Sequence, residues 1–497
     1  MSKFLKLCSC EFTKITKKKS CKIMIILLIL SIFAGAGLSV LTKKMYSFSQ
    51  DYAANGDYKT STRAEIETLK ADLETNGSSL DEASKNSIQA QIDVCQYALD
   101  YDINLNSSYW KSTILSSEIL SSKINYYNFK SMGDEISSTA EQNKIDKKME
   151  LIKNNDFAGY INLQKNLLKE NLDNGLIDQQ DYEDSLYILD LRAKYEVGKE
   201  YNSEDTWKET IVEEIDILKS NIKYGMDTVT EKALSEKDLQ KAKESILINE
   251  YRLEHNMPPY MTATSVGSTR KIFDYMVGGI TMMVLAIMMI IIAGSSVSSE
   301  ISKGTIKFWS FTPNKRWKIL LSKLCVCVFV LVIATVFVTI LSTLIGNLFF
   351  GSKDAQGYLY VSDGTVHQLN YIVYMLLFNL VGAIEVFMFL LFAFMLSTVA
   401  RNTAVAVGVG LATYLGGATI MQLITMFVKA DWVKFVPLSN LSLTDRMFTN
   451  DLSYSATTLV NSITGDIPVG FSFAVLGVTA LIMIVTMFDS FRKRDII

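Results

Sequence analysis

The sequence predicts an all-α membrane protein with six transmembrane helices, an amphipathic N-terminal elbow helix and a large helical extracellular insertion. Six apolar runs of membrane length lie along the 497 residues, and about 20 helical residues suffice to cross a hydrocarbon core. The long region between the first two runs contains no such run. Most of the excess lysine and arginine lies beside the apolar runs, as on the cytoplasmic face of membrane proteins.

Residues 1–22 are predicted to form a cytoplasmic amphipathic helix that lies on the inner leaflet. Its apolar residues, spaced among lysines, are Phe4, Leu5, Leu7, Phe12 and Ile15. Residues 23–44 follow as the first transmembrane helix, with a charge-free run from Ile23 to Leu41. That run is longer than the usual apolar region of a signal peptide, so a retained helix is favoured over a cleaved one.

Residues 45–270 are predicted to form an extracellular helical domain. They carry 40 acidic and 25 basic side chains, a net charge of −15, whereas the rest of the chain has a net charge of +12. Apolar residues recur there at helical spacing, as in Ile66, Leu69 and Leu73. The acidic surface can attract a cationic ligand, or it can simply keep the domain soluble.

Start and stop signals divide this domain into separate helices. Ser79 with Glu82 and Ser235 with Asp238 have the spacing of helix N-caps. The predicted stops and turns are Asn76-Gly77, Gly133, Asn174-Gly175, Gly198 and Gly225.

Residues 271–497 are predicted to form a five-helix transmembrane region. The apolar runs are Phe273–Val297, Leu324–Phe350, Tyr371–Val399, Thr403–Val428 and Val469–Phe488. Basic residues place the loop 298–323 and both termini in the cytoplasm of a bacterial cell, with the protein in its plasma membrane. The longer segment 429–468 then lies outside.

The loop 298–323 holds six basic residues against one acid, Glu300. A compact charged loop between two transmembrane helices is placed to be contacted by a soluble partner. Topology alone can also explain its charge.

Catalytic chemistry is not expected in this chain. Residues 346–353 approach a phosphate-binding loop, but Ser352 and Lys353 stand in the reverse of the required order. His255 and His367 have no further ligand at metal-binding spacing. Basic and aromatic residues do not interleave as they do on nucleic-acid-binding surfaces, so no nucleic-acid partner is expected.

Glu385 is the candidate polar site inside the membrane, because it lies among apolar residues near the middle of the fourth run. A carboxylate at that depth costs at least about 2.5 kcal/mol to insert. It is interpreted as a polar site on a substrate route or subunit contact, or as an interhelical hydrogen bond to a residue such as Asn379 or Thr413.

The motif between the second and third runs resembles the signature of ABC-2 type transporter permeases. The resemblance rests also on the six-span plan, the basic amphipathic start and the C-terminal residues 491–496, and it covers residues 1–44 and 271–497. The motif residues that it would assign to coupling with an ATPase are Glu300, Lys303, Gly304, Thr305, Lys307, Pro313, Lys315 and Arg316. Lys323, which opens the next helix, completes the pattern.

The resemblance implies a permease without cofactor or enzymatic activity of its own. Two copies of a separate ABC ATPase subunit would bind ATP and Mg, and a second permease, identical or related, would complete the complex. Export of a peptide, drug-like or lipid-like amphipathic substrate is the expected function. The alternative is a membrane-anchored sensor or resistance protein whose extracellular domain binds an antimicrobial peptide or a partner.

Overall fold

The computed structural model of the chain describes residues 3–55, 58–107, 109–200, 206–259, 268–304, 315–427, 431–449 and 467–493. These residues are nearly all helical. They divide into two units, Met1–Lys43 with Met257–Ile497, and Lys44–Asn256.

The helices are named in chain order. They are α1 (Lys3–Lys17), α2 (Lys19–Asn55), α3 (Tyr58–Asn76), α4 (Glu82–Asp100), α5 (Trp110–Thr113), α6 (Leu120–Ser131), α7 (Glu135–Lys153), α8 (Phe157–Asp173), α9 (Gln179–Lys194), α10 (Thr206–Tyr224), α11 (Glu236–Glu254), α12 (Thr269–Ser296), α13 (Ser298–Ser302), α14 (Arg316–Phe350), α15 (Tyr371–Val399), α16 (Thr403–Phe427), α17 (Leu443–Met447) and α18 (Val469–Lys493). A π-helical turn, Ile114–Ile119, joins α5 to α6, and 3₁₀ turns lie at Asp431–Phe435 and Pro437–Asn440.

Among the described residues, five helices are long and apolar enough to cross a membrane, which makes this a multi-pass membrane protein. They cover Lys19–Met45, Thr269–Ser296, Arg316–Phe350, Tyr371–Val399 and Val469–Arg492. The predicted fifth run also forms a helix, α16, whose 25 residues run from Thr403 to Phe427, but it is not among these five. A sixth span therefore stays a prediction.

The unit formed by Met1–Lys43 and Met257–Ile497 contains these five helices, the first of them up to Lys43, and we call it the membrane unit. It packs around α12 and α15, whose facing side chains form one apolar core. Leu285, Met289, Leu390 and Phe394 are fully buried in it. α2 is different, because Ile26, Leu27 and several other apolar side chains of this helix are exposed. An apolar helix surface of this kind is suited to lipid rather than to water.

Two short β-hairpins were not predicted. In the unit Lys44–Asn256, the two-residue strands β1 (Met226–Asp227) and β2 (Lys232–Ala233) pair antiparallel. In the membrane unit, β3 (Leu359–Ser362) pairs antiparallel with β4 (Thr365–Gln368). Asp363 and Gly364 form the turn with φ values of 52° and 74°. An Asp-Gly pair between β-branched and aromatic residues is a strong hairpin signal, and it was overlooked.

The unit Lys44–Asn256 is a set of mostly antiparallel helices whose ends follow the predicted signals. Ser235 and Asp238 form a reciprocal capping box at the start of α11. The prediction that Ser79 caps α4 is wrong, because the Asp81 side chain accepts the cap hydrogen bond from the Ser84 backbone. A carboxylate two residues closer to the helix is better placed to reach the free N–H groups.

Apolar clusters hold this unit together without a disulfide. One surrounds Trp110 and Ile114 between α4, α7 and α8, and another surrounds Trp207 and Ile215 between α9, α10 and α11. Cys95 is buried against Ile66 with its thiol free.

We expect residues 44–256 to fold when expressed alone, because these clusters lie wholly within the unit. Circular dichroism should show a strongly helical protein that unfolds cooperatively on heating. Ile215→Ala should lower its free energy of unfolding by about 2–5 kcal/mol, because the side chain is fully buried. Ile136→Ala, at a residue 85% exposed, should change it by less than about 0.5 kcal/mol. Gradual, non-cooperative melting of the isolated unit would contradict this prediction.

Candidate functional site

The segment between α12 and α14 begins with the short helix α13. Glu300 lies on α13, and Gly304 after it has a φ of 69°, a conformation that favours glycine. Lys303, Gly304, Lys315 and Arg316 are exposed. Thr305, Lys307 and Pro313, also predicted for coupling, lie outside the described residues.

Lys323, about two helical turns after the start of α14, is the most buried charge beside this segment. Its side chain is 1% exposed, and its Nζ lies 2.7 Å from Glu11 Oε2 and 2.8 Å from Glu300 Oε1. Lys14 Nζ lies 2.8 Å from Glu11 Oε1 and 3.4 Å from Glu300 Oε1. We call these four residues, Glu11, Lys14, Glu300 and Lys323, the Lys323 junction. It joins α1, α13 and α14.

The junction pairs two carboxylates with two ammonium groups, so its formal charge is zero. Burial alone would raise the pKa of Glu11, but attraction to Lys323 and hydrogen bonds from Lys14 and Lys323 outweigh burial and lower it. Burial would lower the pKa of Lys14, but its bonds to Glu11 and its attraction to Glu11 and Glu300 raise it. Both groups are therefore ionised at neutral pH.

Aromatic packing supports the same contact between α1 and α14. The rings of Phe12 and Phe329 meet edge to face with their centroids 5.9 Å apart. Ile15 is also buried against the core. The side of α1 that faces the bundle therefore carries Glu11 between apolar residues.

α13 is also fixed to α15 and α16. The backbone N–H groups of Val297 and Ser298 donate to Ser397 Oγ, at 3.3 and 2.9 Å. Ser298 Oγ lies 2.8 Å from Thr403 Oγ1, where α16 begins. Together with the Lys323 junction, these bonds attach α13 to α1, α14, α15 and α16, so a displacement of α13 would strain contacts to all four.

Glu11 is a site residue that was not predicted from the sequence. A signal was available, because Glu11 is the only acid among the first 22 residues, which carry seven lysines. An acid within a basic amphipathic helix needs a cationic partner when its side of the helix is buried.

A second polar cluster lies at the other end of the membrane unit. Arg270, which is 1% exposed, donates through Nη2 to the Tyr371 hydroxyl at 2.6 Å and through Nη1 to Asn347 Oδ1 at 2.9 Å. Its Nε lies 3.2 Å from Asp274 Oδ1. This cluster fixes the first turn of α12 to the end of α14 and the start of α15.

Gly346 makes room for the Arg270 cluster. A Cβ atom at this position would lie 2.6 Å from Arg270 Cζ and 2.8 Å from the Phe273 ring, too close for any other residue without displacement. The glycine in the near-match to a phosphate loop therefore has a packing role.

Glu385 lies half-buried on α15, and within the described residues no hydrogen bond or ion pair is formed by its carboxylate. The two partners considered for it bond elsewhere: Asn379 donates to Thr339 Oγ1 at 3.0 Å, and Thr413 donates to the Val409 carbonyl at 2.9 Å. Asp445 of α17 lies close enough to repel the Glu385 carboxylate.

An aromatic pocket opens beside Asp445. Its lining includes Asp274, Tyr275, Tyr374, Phe378, Thr444, Asp445 and Phe448. The Phe448 ring packs against Tyr374 and Phe378 with centroid distances of 5.4 and 5.6 Å. The pocket thus combines aromatic surfaces with carboxylates near one end of the membrane unit.

Metal binding finds no support in the described part of the chain, where no group of three or more His, Cys, Asp or Glu side chains could hold an ion.

A family model matches the C-terminal half of the chain. The family model described as "Protein of unknown function (DUF2705)" matches residues 244–497. Two Bacillus subtilis (strain 168) proteins are each 31% identical to the chain. "Uncharacterized protein YhcI" aligns over 258 residues, 51% of this chain and 76% of its own length, and "Uncharacterized membrane protein YdbK" over 209 residues, 42% and 76%. No solved structure matches.

We expect Lys323→Met to destabilise the membrane unit, because it leaves two carboxylates facing each other without their buried cation. Breaking a buried ion pair costs about 3–5 kcal/mol, so the thermal unfolding midpoint in detergent should fall well below that of the unaltered protein. Lys318→Met is the matched control, since Lys318 is exposed on the same helix. Adding Glu11→Gln and Glu300→Gln to Lys323→Met should restore much of the stability. Equal midpoints for the Lys323 and Lys318 variants would contradict the buried network.

Proposed function

We propose that this chain, which belongs to the DUF2705 family, is the membrane-spanning permease subunit of an ABC transporter. The observation that supports the proposal is the attachment of α13 to four helices through the Lys323 junction and the bonds of Ser298. A soluble motor that pushed on this segment would displace α1, α14, α15 and α16 together, because packed elements change arrangement as units.

The orientation follows from the distribution of basic residues. The α13 end carries Lys303, Lys315, Lys318 and the lysines of α1, and short loops this rich in lysine remain in the cytoplasm. We therefore assign both termini to the cytoplasm of a bacterial cell and the unit Lys44–Asn256 to its exterior. α16 would be the sixth span, since its 25 residues contain no charged side chain.

Docking of the ATPase would fall to the exposed basic residues beside α13. Lys303, Lys315 and Arg316 are exposed, whereas the Glu300 carboxylate binds Lys323 and Lys14 of its own chain. Glu300 would hold the segment in place, and the lysines and arginine would meet an acidic surface on the partner. Two ATPase subunits would bind ATP and Mg, and two permeases, identical or related, would form the membrane pathway.

The substrate class that we propose is a peptide, drug-like or lipid-like amphipathic molecule that is exported. The aromatic pocket beside Asp445 supports it, because aromatic rings next to a carboxylate suit a ligand with apolar and cationic parts. Opposite tilting of the two permeases would open this side of the bundle after the ATPases close.

A membrane-anchored sensor or resistance protein is the competing function. A single span is enough to display an extracellular domain, and such a protein has no use for a segment fixed to four helices. The attachment of α13 therefore favours transport over display.

We predict that an ATPase with a phosphate-binding loop copurifies with the full chain from its native membrane. The double variant Lys315→Glu with Arg316→Glu should retain little of it, because reversing two exposed charges turns attraction to an acidic surface into repulsion. The control is Lys353→Glu, at an exposed basic residue just beyond the opposite end of α14. Absence of any ATPase from the unaltered preparation, or equal loss in the control, would contradict the proposed function.

A further inference from the structure

The exposed apolar side chains of the unit Lys44–Asn256 are concentrated in a few of its turns. Within the described residues 58–256, the large apolar side chains more than half exposed are Met132 (78%), Ile136 (85%), Leu176 (72%), Tyr224 (59%) and Val229 (68%). Met132 and Ile136 flank the turn from α6 to α7. Leu176 lies between α8 and α9, Tyr224 is the last residue of α10, and Val229 lies between α10 and α11. Turns of this kind are normally polar.

Two of these turns meet at one place. Lys223, at the end of α10, has its Nζ 2.8 Å from Asp178 Oδ2 and also pairs with Asp181, at the start of α9. Lys219 bonds to Asp184 at 2.8 Å and Arg192 to Glu209 at 2.6 Å, so α9 and α10 run antiparallel. The turn that contains Leu176 therefore lies beside the turn that contains Tyr224 and Val229.

The α6–α7 turn lies towards the same end. Trp110 packs on Tyr160 with ring centroids 5.4 Å apart, and Glu118 accepts a hydrogen bond from Gln164 at 2.5 Å. α8 therefore starts beside α5 and runs parallel to the continuous helical stretch from α5 to α6. The C-terminal ends of α6 and α8 consequently lie at the same end of the unit. Asn86 near the start of α4 donates to Asn128 near the end of α6, which brings the α3–α4 turn to this side as well.

This side is the far end of the unit from its chain termini. At the other end, the Tyr58 hydroxyl at the start of α3 donates to Asp102 at 2.6 Å, and the Trp110 backbone N–H donates to the Gly198 carbonyl. We call the turns 76–82, 130–136, 173–181 and 223–238 together the distal face.

The distal face is acidic as well as apolar. Its four turns hold eleven acidic and four basic side chains, a net charge of −7. Asp81 and Asp134 cap α4 and α7, and both are exposed together with the next residues, Glu82 and Glu135. Exposed apolar side chains thus lie among carboxylates. Two of the carboxylates, those of Asp178 and Asp181, are paired with Lys223.

We propose that the distal face is a docking surface for a cationic amphipathic peptide, which would present apolar side chains to Met132, Ile136, Leu176 and Val229 and its lysines to the surrounding carboxylates. This deepens the proposed function by naming one substrate class, and it rests on that function for the exterior placement of the unit. Clustered exposed apolar residues with a polar surround are typical of interaction sites.

The net negative charge of the distal face disfavours two other partners that could cover an apolar surface, a second copy of the chain and an anionic membrane. A second copy of the chain would bring another net charge of −7 against the first, and an anionic membrane surface would repel it too. A cationic partner gains both from apolar burial and from attraction to the carboxylates.

The test uses the full chain in nanodiscs of zwitterionic phosphatidylcholine and a fluorescent amphipathic helix of about 18 leucine and lysine residues, five helical turns. Fluorescence anisotropy measures binding, with empty nanodiscs as the blank. Met132→Ser with Ile136→Ser, and separately Leu176→Ser with Val229→Ser, should weaken binding by about tenfold or more, because apolar contact area is lost. The matched control is Tyr101→Ser with Leu167→Ser, at residues 36% and 37% exposed outside this face, and it should stay within about twofold.

Charge is tested separately with Asp134→Asn and Glu135→Gln. Asparagine preserves the helix cap, so a weaker affinity and a smaller salt dependence report the lost charge. An analogue peptide with glutamate in place of lysine should bind much more weakly.

The proposal is overturned if the distal-face variants bind like the control or the glutamate analogue binds equally. It is also overturned if mass photometry shows the chains associating through this face in place of peptide binding. Loss of peptide binding leaves ATPase copurification measurable, and absence of an ATPase leaves peptide binding measurable. Failures of the two proposals are therefore distinguishable.

Discussion

A buried lysine between two carboxylates is the interaction on which the membrane unit depends. Lys323 is 1% exposed and lies within 2.8 Å of both Glu11 and Glu300. A buried ammonium without such partners would be strongly unfavourable. Its two partners come from distant parts of the sequence, one from the first helix and the other from the segment before α14. The requirement to neutralise one charge therefore fixes the positions of three elements at once, and the bonds of Ser298 extend this to α15 and α16.

The Arg270 cluster holds the opposite end of the same bundle. Arg270 joins α12, α14 and α15 through Asp274, Asn347 and Tyr371, so polar networks bind both ends while apolar contacts fill the middle. Apolar packing is non-directional, whereas charged hydrogen bonds specify a single register. Under the proposed function, the helices would tilt as connected rods, and the Lys323 junction would be the point at which force from an ATPase enters the bundle.

Much of the fold was predictable from the sequence because the signals for it are local. The run Tyr371–Val399 was predicted to the residue, and the Ser235 cap follows from spacing alone. The Lys323 junction was not predictable in the same way, because Glu11 and Lys323 are 312 residues apart and no periodicity relates them. The β3–β4 hairpin could have been found from Asp363-Gly364, but its four-residue strands are brief beside the long apolar runs. The distal face was not predictable from the sequence, because only tertiary contacts reveal which turns lie at the same end of the unit.

The most direct test of the central claim is the ATPase rate of the complex with Glu300→Gln, compared with that of the isolated ATPase subunit. The change removes one charge from the Lys323 junction with little change of shape, and Lys318→Met is the matched control. If α13 transmits force through Glu300, the variant permease still assembles with the ATPase but no longer alters its rate as the unaltered permease does. An unchanged effect on the rate, with assembly intact, would place the coupling outside the Lys323 junction and contradict the account.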